Sequence, residues 1–87
     1  MADVHLPTTL TSLFPGLSRR VDVEAGTVLG AIDALEARWT GFRDRLVEEG
    51  PELRPHIHVY VDGERAGLGA PLEPRSRIDV IAAISGG

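Results

Sequence analysis

The chain has 87 residues, which is enough for one compact domain and too few for two. Hydrophobic residues make up 43 % and charged residues 25 %, so the composition predicts a folded core rather than a disordered chain. A net charge of -4 disfavours nucleic acid as a partner, and the absence of cysteine and lysine excludes disulfides, thiolate metal sites and Schiff-base chemistry.

No segment approaches the roughly 18 apolar residues of a membrane-spanning helix. The first residues, Met1-Ala2-Asp3, lack the basic and apolar regions of a signal peptide. We therefore expect a cytoplasmic protein that has no membrane partner.

The N-terminal part of the chain predicts two strands. Alternating apolar residues over 4–10 predict the first strand, in which Pro7 ends regular pairing because it has no N–H group. Charged residues alternate with valine over 20–24, which predicts a second strand with one buried face.

The clearest predicted helix begins after Thr27, whose side-chain oxygen can cap its first turn. Its apolar residues recur at helical spacing, as Val28, Ile32, Leu35 and Trp39. Gly41 ends this helix, and the pair Phe42 and Leu46 predicts a further short helical turn before Gly50-Pro51.

The C-terminal part predicts two more strands. Residues 56–61 alternate and are rich in β-branched and aromatic side chains, and the turn dipeptide Asp62-Gly63 follows them. A loop with several glycines and prolines leads to a last strand over 77–84. The order of elements predicts an α+β fold of the β-grasp type over 1–87, a mixed sheet with one main helix packed on one face.

The alternation along the predicted strands also assigns side chains to the two faces of the sheet. If the helix covers Ile57 and Val59, then His58, Tyr60 and Ile81 point to the open face, where they can form a partner-binding surface. Alternatively, the early loop with its apolar residues Leu13, Phe14 and Leu17 folds over this face and buries Tyr60 and Ile81.

Histidines are the only side chains of the sequence that suggest a metal site. His56 and His58 share one strand face and could bind a metal if His5 came close. Two histidines on an open sheet face are more often ordinary surface residues, so we expect no metal site. The chain also lacks a nucleophile with its base and a phosphate-binding loop, which argues against an enzyme and against a bound cofactor.

The last residues of the sequence, Gly86-Gly87, directly follow the predicted final strand. Glycine has no Cβ, so such a pair can pass through a channel where a larger side chain would clash. Together with Ser85 these residues span at most about 10 Å. We expect a flexible tail over 85–87. In this tail Ser85 and Gly86 allow entry into the channel of another enzyme, and the carboxyl group of Gly87 is the group that reacts there.

The sequence resembles the MoaD/ThiS family of ubiquitin-like sulfur carriers, which includes the small subunit of molybdopterin synthase, over nearly its full length. The matching residues are Leu6-Pro7, Thr27-Val28, the segments 33–38 and 57–64, and Gly86-Gly87. The resemblance implies that an E1-like adenylyltransferase of the MoeB/ThiF type activates Gly87 with ATP and magnesium, which the partner binds. It also implies a terminal thiocarboxylate, which donates sulfur to a biosynthetic enzyme.

Several destinations for the sulfur remain open in this family, among them molybdopterin, thiazole, cysteine, thiolated tRNA and secondary metabolites. A resemblance to CysO-type carriers of cysteine synthesis, and to carriers used in antibiotic pathways, fits the arginine-rich, lysine-free composition. Two other functions are also compatible with the sequence. The chain could be a modifier joined to lysines of other proteins through Gly87, or a non-covalent β-grasp interaction module. In each case we expect a monomer when the chain is free.

Overall fold

Ten short elements build the protein, which is described here for residues 1–83 by a computed structural model. In chain order they are β1 (Ala2–His5), α1 (Thr8–Thr11), β2 (Arg20–Val23), α2 (Val28–Arg38), α3 (Phe42–Leu46), β3 (Val47–Glu48), β4 (Glu52–Leu53), β5 (Ile57–Val61), β6 (Glu64–Ala66) and β7 (Arg77–Ala82).

Five of the strands form one mixed sheet in the order β2-β1-β7-β5-β6. The central strands β1 and β7 are parallel, with Val4 opposite Ile78, and all other neighbouring pairs are antiparallel. Helix α2 covers one face of this sheet. A mixed sheet with a main helix on one face is the predicted β-grasp fold, and the prediction is confirmed.

Helix α2 begins where the sequence predicts it. The Thr27 hydroxyl accepts a hydrogen bond of 3.0 Å from the Gly30 N–H, which satisfies one of the free donors of the first turn. Its buried residues follow the predicted spacing: Val28, Ala31, Ile32 and Leu35. They pack against the apolar side chains of the sheet in one core cluster, together with Val4, Val59 and Ile78.

Helix α3 follows after Gly41, which adopts a left-handed conformation with φ of +97°. The Glu36 carboxylate accepts hydrogen bonds from the N–H groups of Gly41 and Arg43, and these bonds hold the pKa of Glu36 below its ordinary value. Residues 42–46 form the short helix that the sequence predicts, and its Phe42 and Leu46 are completely buried.

The first strand ends earlier than predicted. Strand β1 ends at His5, and residues 8–11 form helix α1 instead of continuing the strand over 4–10. The Pro7 carbonyl accepts hydrogen bonds from the N–H groups of Leu10 and Thr11, so Pro7 begins a helical turn. Leu10 is buried in this helix, as it would be in a strand, which is why the alternation misled the prediction.

Three short strands were not predicted. Strands β3 and β4 form a small hairpin around Gly50-Pro51, which the sequence analysis interpreted only as the end of a helix. Strand β6 pairs with β5 after the predicted turn at Asp62-Gly63. The final strand β7 ends at Ala82, so the prediction of a strand over 77–84 was too long by the described residue Ala83, and residue 84 lies outside the described residues.

None of the helices in residues 1–83 has the length and hydrophobicity needed to span a bilayer. The single domain over 1–87 and its tail over 85–87 stay predictions, since they include residues outside the described part of the chain.

Candidate functional site

The sheet face opposite α2 holds the three residues that the sequence analysis proposed as a partner surface. In the register of β5 and β7, His58 lies opposite Ile81 and Tyr60 lies opposite Asp79. Alternation places all of these side chains on the open face, because their neighbours Val59 and Val80 are buried against the core. Ile81 is 46 % exposed, which is unusual for a large aliphatic side chain within a strand.

Tyr60 and Ile81 line a shallow apolar depression of about 490 Å³ with Leu6 and Pro7, which we call the sheet-face patch. Pro7 comes next to Ile81 because β1 and β7 run parallel with His5 opposite Asp79. Leu6 and Pro7 were not predicted to belong to this surface, because the sequence does not reveal that β1 is the parallel neighbour of β7.

Two charged clusters flank the sheet-face patch. In the first, an Asp3 carboxylate oxygen lies 2.9 Å from the His5 Nε2 and also 2.9 Å from the Arg20 Nη2. The hydrogen bond from His5, followed by that from Arg20, holds the pKa of Asp3 below its ordinary value. The cluster thus joins β1 to β2 across the open face.

The second cluster is the pair Arg77 and Asp79 on β7. The Arg77 guanidinium donates to both Asp79 oxygens, at 3.0 and 3.1 Å from Nε. This contact raises the pKa of Arg77. Because the charges of both clusters are balanced by partners on the same face, the sheet-face patch presents an apolar centre with a polar rim, as protein-binding surfaces commonly do.

His58 is held by a contact with the neighbouring strand. The Arg65 Nη2 lies 2.9 Å from the His58 Nδ1. Arginine can only donate, so Nδ1 accepts and the proton of the neutral ring lies on Nε2. Two of the three histidines considered as metal ligands therefore have other partners: His58 binds Arg65, and His5 binds Asp3. Among residues 1–83, no three histidine, aspartate or glutamate side chains are grouped as a metal site would require.

The early loop does not cover the open face, so the alternative in which it buries Tyr60 and Ile81 is wrong. Leu17 is buried in the core on the helix side, and the ring of Phe14 lies 5.8 Å from that of Phe42. The loop is also tied to α2, because the Trp39 indole donates a 3.1 Å hydrogen bond to the Pro15 carbonyl.

Strand β7 leads to the residues on which the predicted chemistry depends. The Ala83 N–H donates a 2.7 Å hydrogen bond to the His56 carbonyl, so the pairing with β5 continues to the last described residue. Ser85, Gly86 and Gly87, the predicted tail and activation site, lie outside the described residues. The structure therefore establishes only the point from which this segment starts.

Comparison with known proteins identifies the family. No family model matches the chain. It is 33 % identical over 72 residues to small archaeal modifier protein 3 of Haloferax volcanii, and the match covers 78 % of this chain and 76 % of that protein. The chain belongs to the small ubiquitin-like modifier and sulfur-carrier proteins of the MoaD/ThiS type.

Solved structures agree with this family assignment. A chain of the Amycolatopsis orientalis BexX/CysO complex is 33 % identical, with a TM-score of 0.89 and complete coverage of both chains. The crystal structure of SAMP1 from Haloferax volcanii is 31 % identical, with a TM-score of 0.77 and coverage of 99 % of this chain and 98 % of that one. The resemblance to MoaD/ThiS carriers found in the sequence is thereby confirmed.

Proposed function

We propose that this member of the family is a sulfur carrier whose terminal residue, Gly87, is activated and converted to a thiocarboxylate. The observation that carries the proposal is its similarity, over its whole length, to a chain of the BexX/CysO complex, combined with Gly86-Gly87 in its sequence. In this proposal the domain is a scaffold that presents Gly87, and the catalytic groups belong to its partner enzymes.

The chemistry follows from the properties of a carboxylate. The Gly87 carboxyl group has a reference pKa near 3.5, so at neutral pH it is an anion and a poor electrophile. Its oxygen attacks the α-phosphorus of ATP, and pyrophosphate leaves, which forms an acyl-adenylate. Hydrosulfide then attacks the acyl carbon, the bond to AMP breaks, and AMP carries away the oxygen. The product is a thiocarboxylate whose sulfur can attack an acceptor.

The partners supply everything that the domain lacks. An E1-like adenylyltransferase of the MoeB/ThiF type binds ATP and magnesium, and a biosynthetic enzyme accepts the sulfur. We propose that the sheet-face patch, centred on Tyr60 and Ile81 with His58 at its edge, contacts these enzymes. Its apolar centre and polar rim fit a transient interface. The carrier itself binds no cofactor and no nucleic acid, is a monomer when free, and acts in the cytoplasm.

A second candidate function is attachment to other proteins. It is favoured by the relatives that are named small archaeal modifier proteins. The same acyl-adenylate would then react with a lysine amine, which forms an isopeptide bond and releases AMP. Because this sequence contains no lysine, attachment would add single copies rather than lysine-linked chains.

Intact-mass analysis distinguishes the two functions. The protein is incubated with the activating enzyme of its source organism, ATP and sulfide, and we expect a species in which sulfur replaces one oxygen. The variant that lacks Gly87 is the matched control and should stay unchanged. Equal sulfur gain by this control would refute the role of Gly87. Isopeptide adducts in cells, without any sulfur-loaded species, would favour the modifier.

A further inference from the structure

A second surface surrounds the C-terminal end of β7. Since β1 and β7 are parallel, helix α1, which follows β1, lies at the same end of the sheet as Ala83. Strand β5 is antiparallel to β7, so its N-terminal neighbour His56 also lies at this end, where its carbonyl binds the Ala83 N–H. Residues from distant parts of the sequence therefore meet beside the root of the tail.

These residues line a small hollow of about 250 Å³ next to Ala82 and Ala83. Its exposed side chains are Thr9 and Leu13 from the α1 region, Arg45 from α3, and His56. Leu13 is 47 % exposed, although its neighbour Leu10 is buried in the core. We call the three side chains Leu13, Arg45 and His56 the tail-root collar.

The charge of the collar is opposite to that of the whole protein. The chain carries a net charge of -4, but the lining of this hollow includes the guanidinium of Arg45 and no carboxylate. The neighbouring arginines are neutralised, because Arg43 pairs with Asp33 and Arg54 pairs with Asp44. Arg45 makes no ion pair with any side chain of residues 1–83, so its charge is available to a partner.

The number of residues after Ala83 limits how far from this surface a partner enzyme can act on Gly87. Four residues follow Ala83 in the sequence, and four residues span at most about 14 Å. An enzyme that acts on Gly87 must therefore bring its reaction centre within this distance of Ala83. The rim of its channel then lies against the residues that surround Ala83, whichever part of the sheet face it also contacts.

We propose that the tail-root collar docks against an acidic rim around the channel of the activating enzyme. This inference rests on the proposed function, since it assumes an enzyme that receives Gly87. A cationic surface beside the tail attracts an acidic channel entrance and repels a basic one. It therefore raises the association rate with the activating enzyme and disfavours enzymes whose channel entrance is basic. The exposed Leu13 supplies an apolar contact beside the charges.

The test is the KM for the carrier in ATP–pyrophosphate exchange with the purified activating enzyme of the source organism. We expect Arg45→Glu to raise this KM by about tenfold and to leave kcat unchanged. Tenfold is the lower end of the gain in association rate that electrostatic steering provides. Arg45→Lys should restore most of the loss, because it keeps the charge. The difference between Arg45→Glu and the unmodified protein should shrink at high salt, where exposed charges are screened.

The matched control is Arg75→Glu, which makes the same change of charge at an exposed position before β7, at the opposite end of that strand. If Arg45→Glu and Leu13→Asp leave the KM within twofold of the Arg75→Glu value, the collar is not a docking surface. If the unmodified protein supports no exchange at all, the proposed function fails and the collar proposal falls with it. Circular dichroism checks that each variant remains folded.

Discussion

Two exposed glycines allow the backbone conformation of the β5–β6 turn to be tested separately from packing. A Cβ atom added at Gly63 or at Gly67 would meet nothing within 4 Å. The two positions differ in backbone conformation, since Gly63 has a φ of +87° and Gly67 lies outside the left-handed region. An alanine in that region costs about 1–2 kcal/mol, whereas alanine elsewhere gains about 0.4–1 kcal/mol by restricting the unfolded chain.

We therefore expect Gly63→Ala to be less stable than Gly67→Ala by about 1–2 kcal/mol, because both variants share the effect on the unfolded chain. For a domain of this size, that difference corresponds to a gap of about 4–16 °C in Tm. Thermal unfolding can be followed by the fluorescence of Trp39, the single tryptophan. Gly63→Asn should recover part of the loss, since asparagine enters the left-handed region more readily. Equal Tm values for the two alanine variants would refute the reasoning.

Three further variants test the core, the charged cluster and the sheet-face patch. Leu35→Ala should lower the free energy of unfolding by about 2–5 kcal/mol in urea titration, because Leu35 is only 1 % exposed; a loss below about 1 kcal/mol would contradict this burial. Asp3→Asn should lower Tm at pH 7, and the gap to the unmodified protein should begin to narrow only at about pH 4 and close at still lower pH. The reason is that a carboxyl group with a lowered pKa stabilises the fold only while ionised; a gap independent of pH would contradict this. Ile81→Asp should keep the Tm but raise the KM in pyrophosphate exchange, and an unchanged KM would remove the patch from the interface.

The sequence predicted those elements whose local signals agree with their tertiary environment. Helix α2 has both a capping threonine and a periodic apolar face, and strand β5 combines alternation with a turn dipeptide. The exposure of Ile81 was also predictable, because alternation along β7 leaves it on the face opposite the core.

The predictions of secondary structure were wrong where the local sequence pattern is compatible with two structures. Leu10 would be buried in a strand as well as in a helix, so its position in the alternation does not distinguish the two. In the structure the Pro7 carbonyl accepts the hydrogen bonds of a first helical turn. The two-residue strands β3 and β4 are too short to show any alternation. They depend on tertiary packing, since Val47 is buried in the core cluster and Leu53 packs against it.

The candidate surfaces depended on strand order, which the sequence does not specify. The open-face residues of β5 and β7 could be found by alternation alone. Pro7 lies beside these residues only because β1 pairs in parallel with β7. The same parallel pairing brings α1 beside Ala83, so Leu13 lies next to Ala83 in the hollow that Arg45 of α3, 32 positions later in the sequence, also lines.

The most direct test of the central claim locates the sulfur atom within the protein. After incubation with the activating enzyme, ATP and sulfide, the intact protein is fragmented in a mass spectrometer. We predict that the replacement of oxygen by sulfur is confined to fragments that contain Gly87 and is absent when ATP is omitted. Sulfur found on any other residue, or gained without ATP, would contradict the claim that this domain carries sulfur as an acyl group on its last residue.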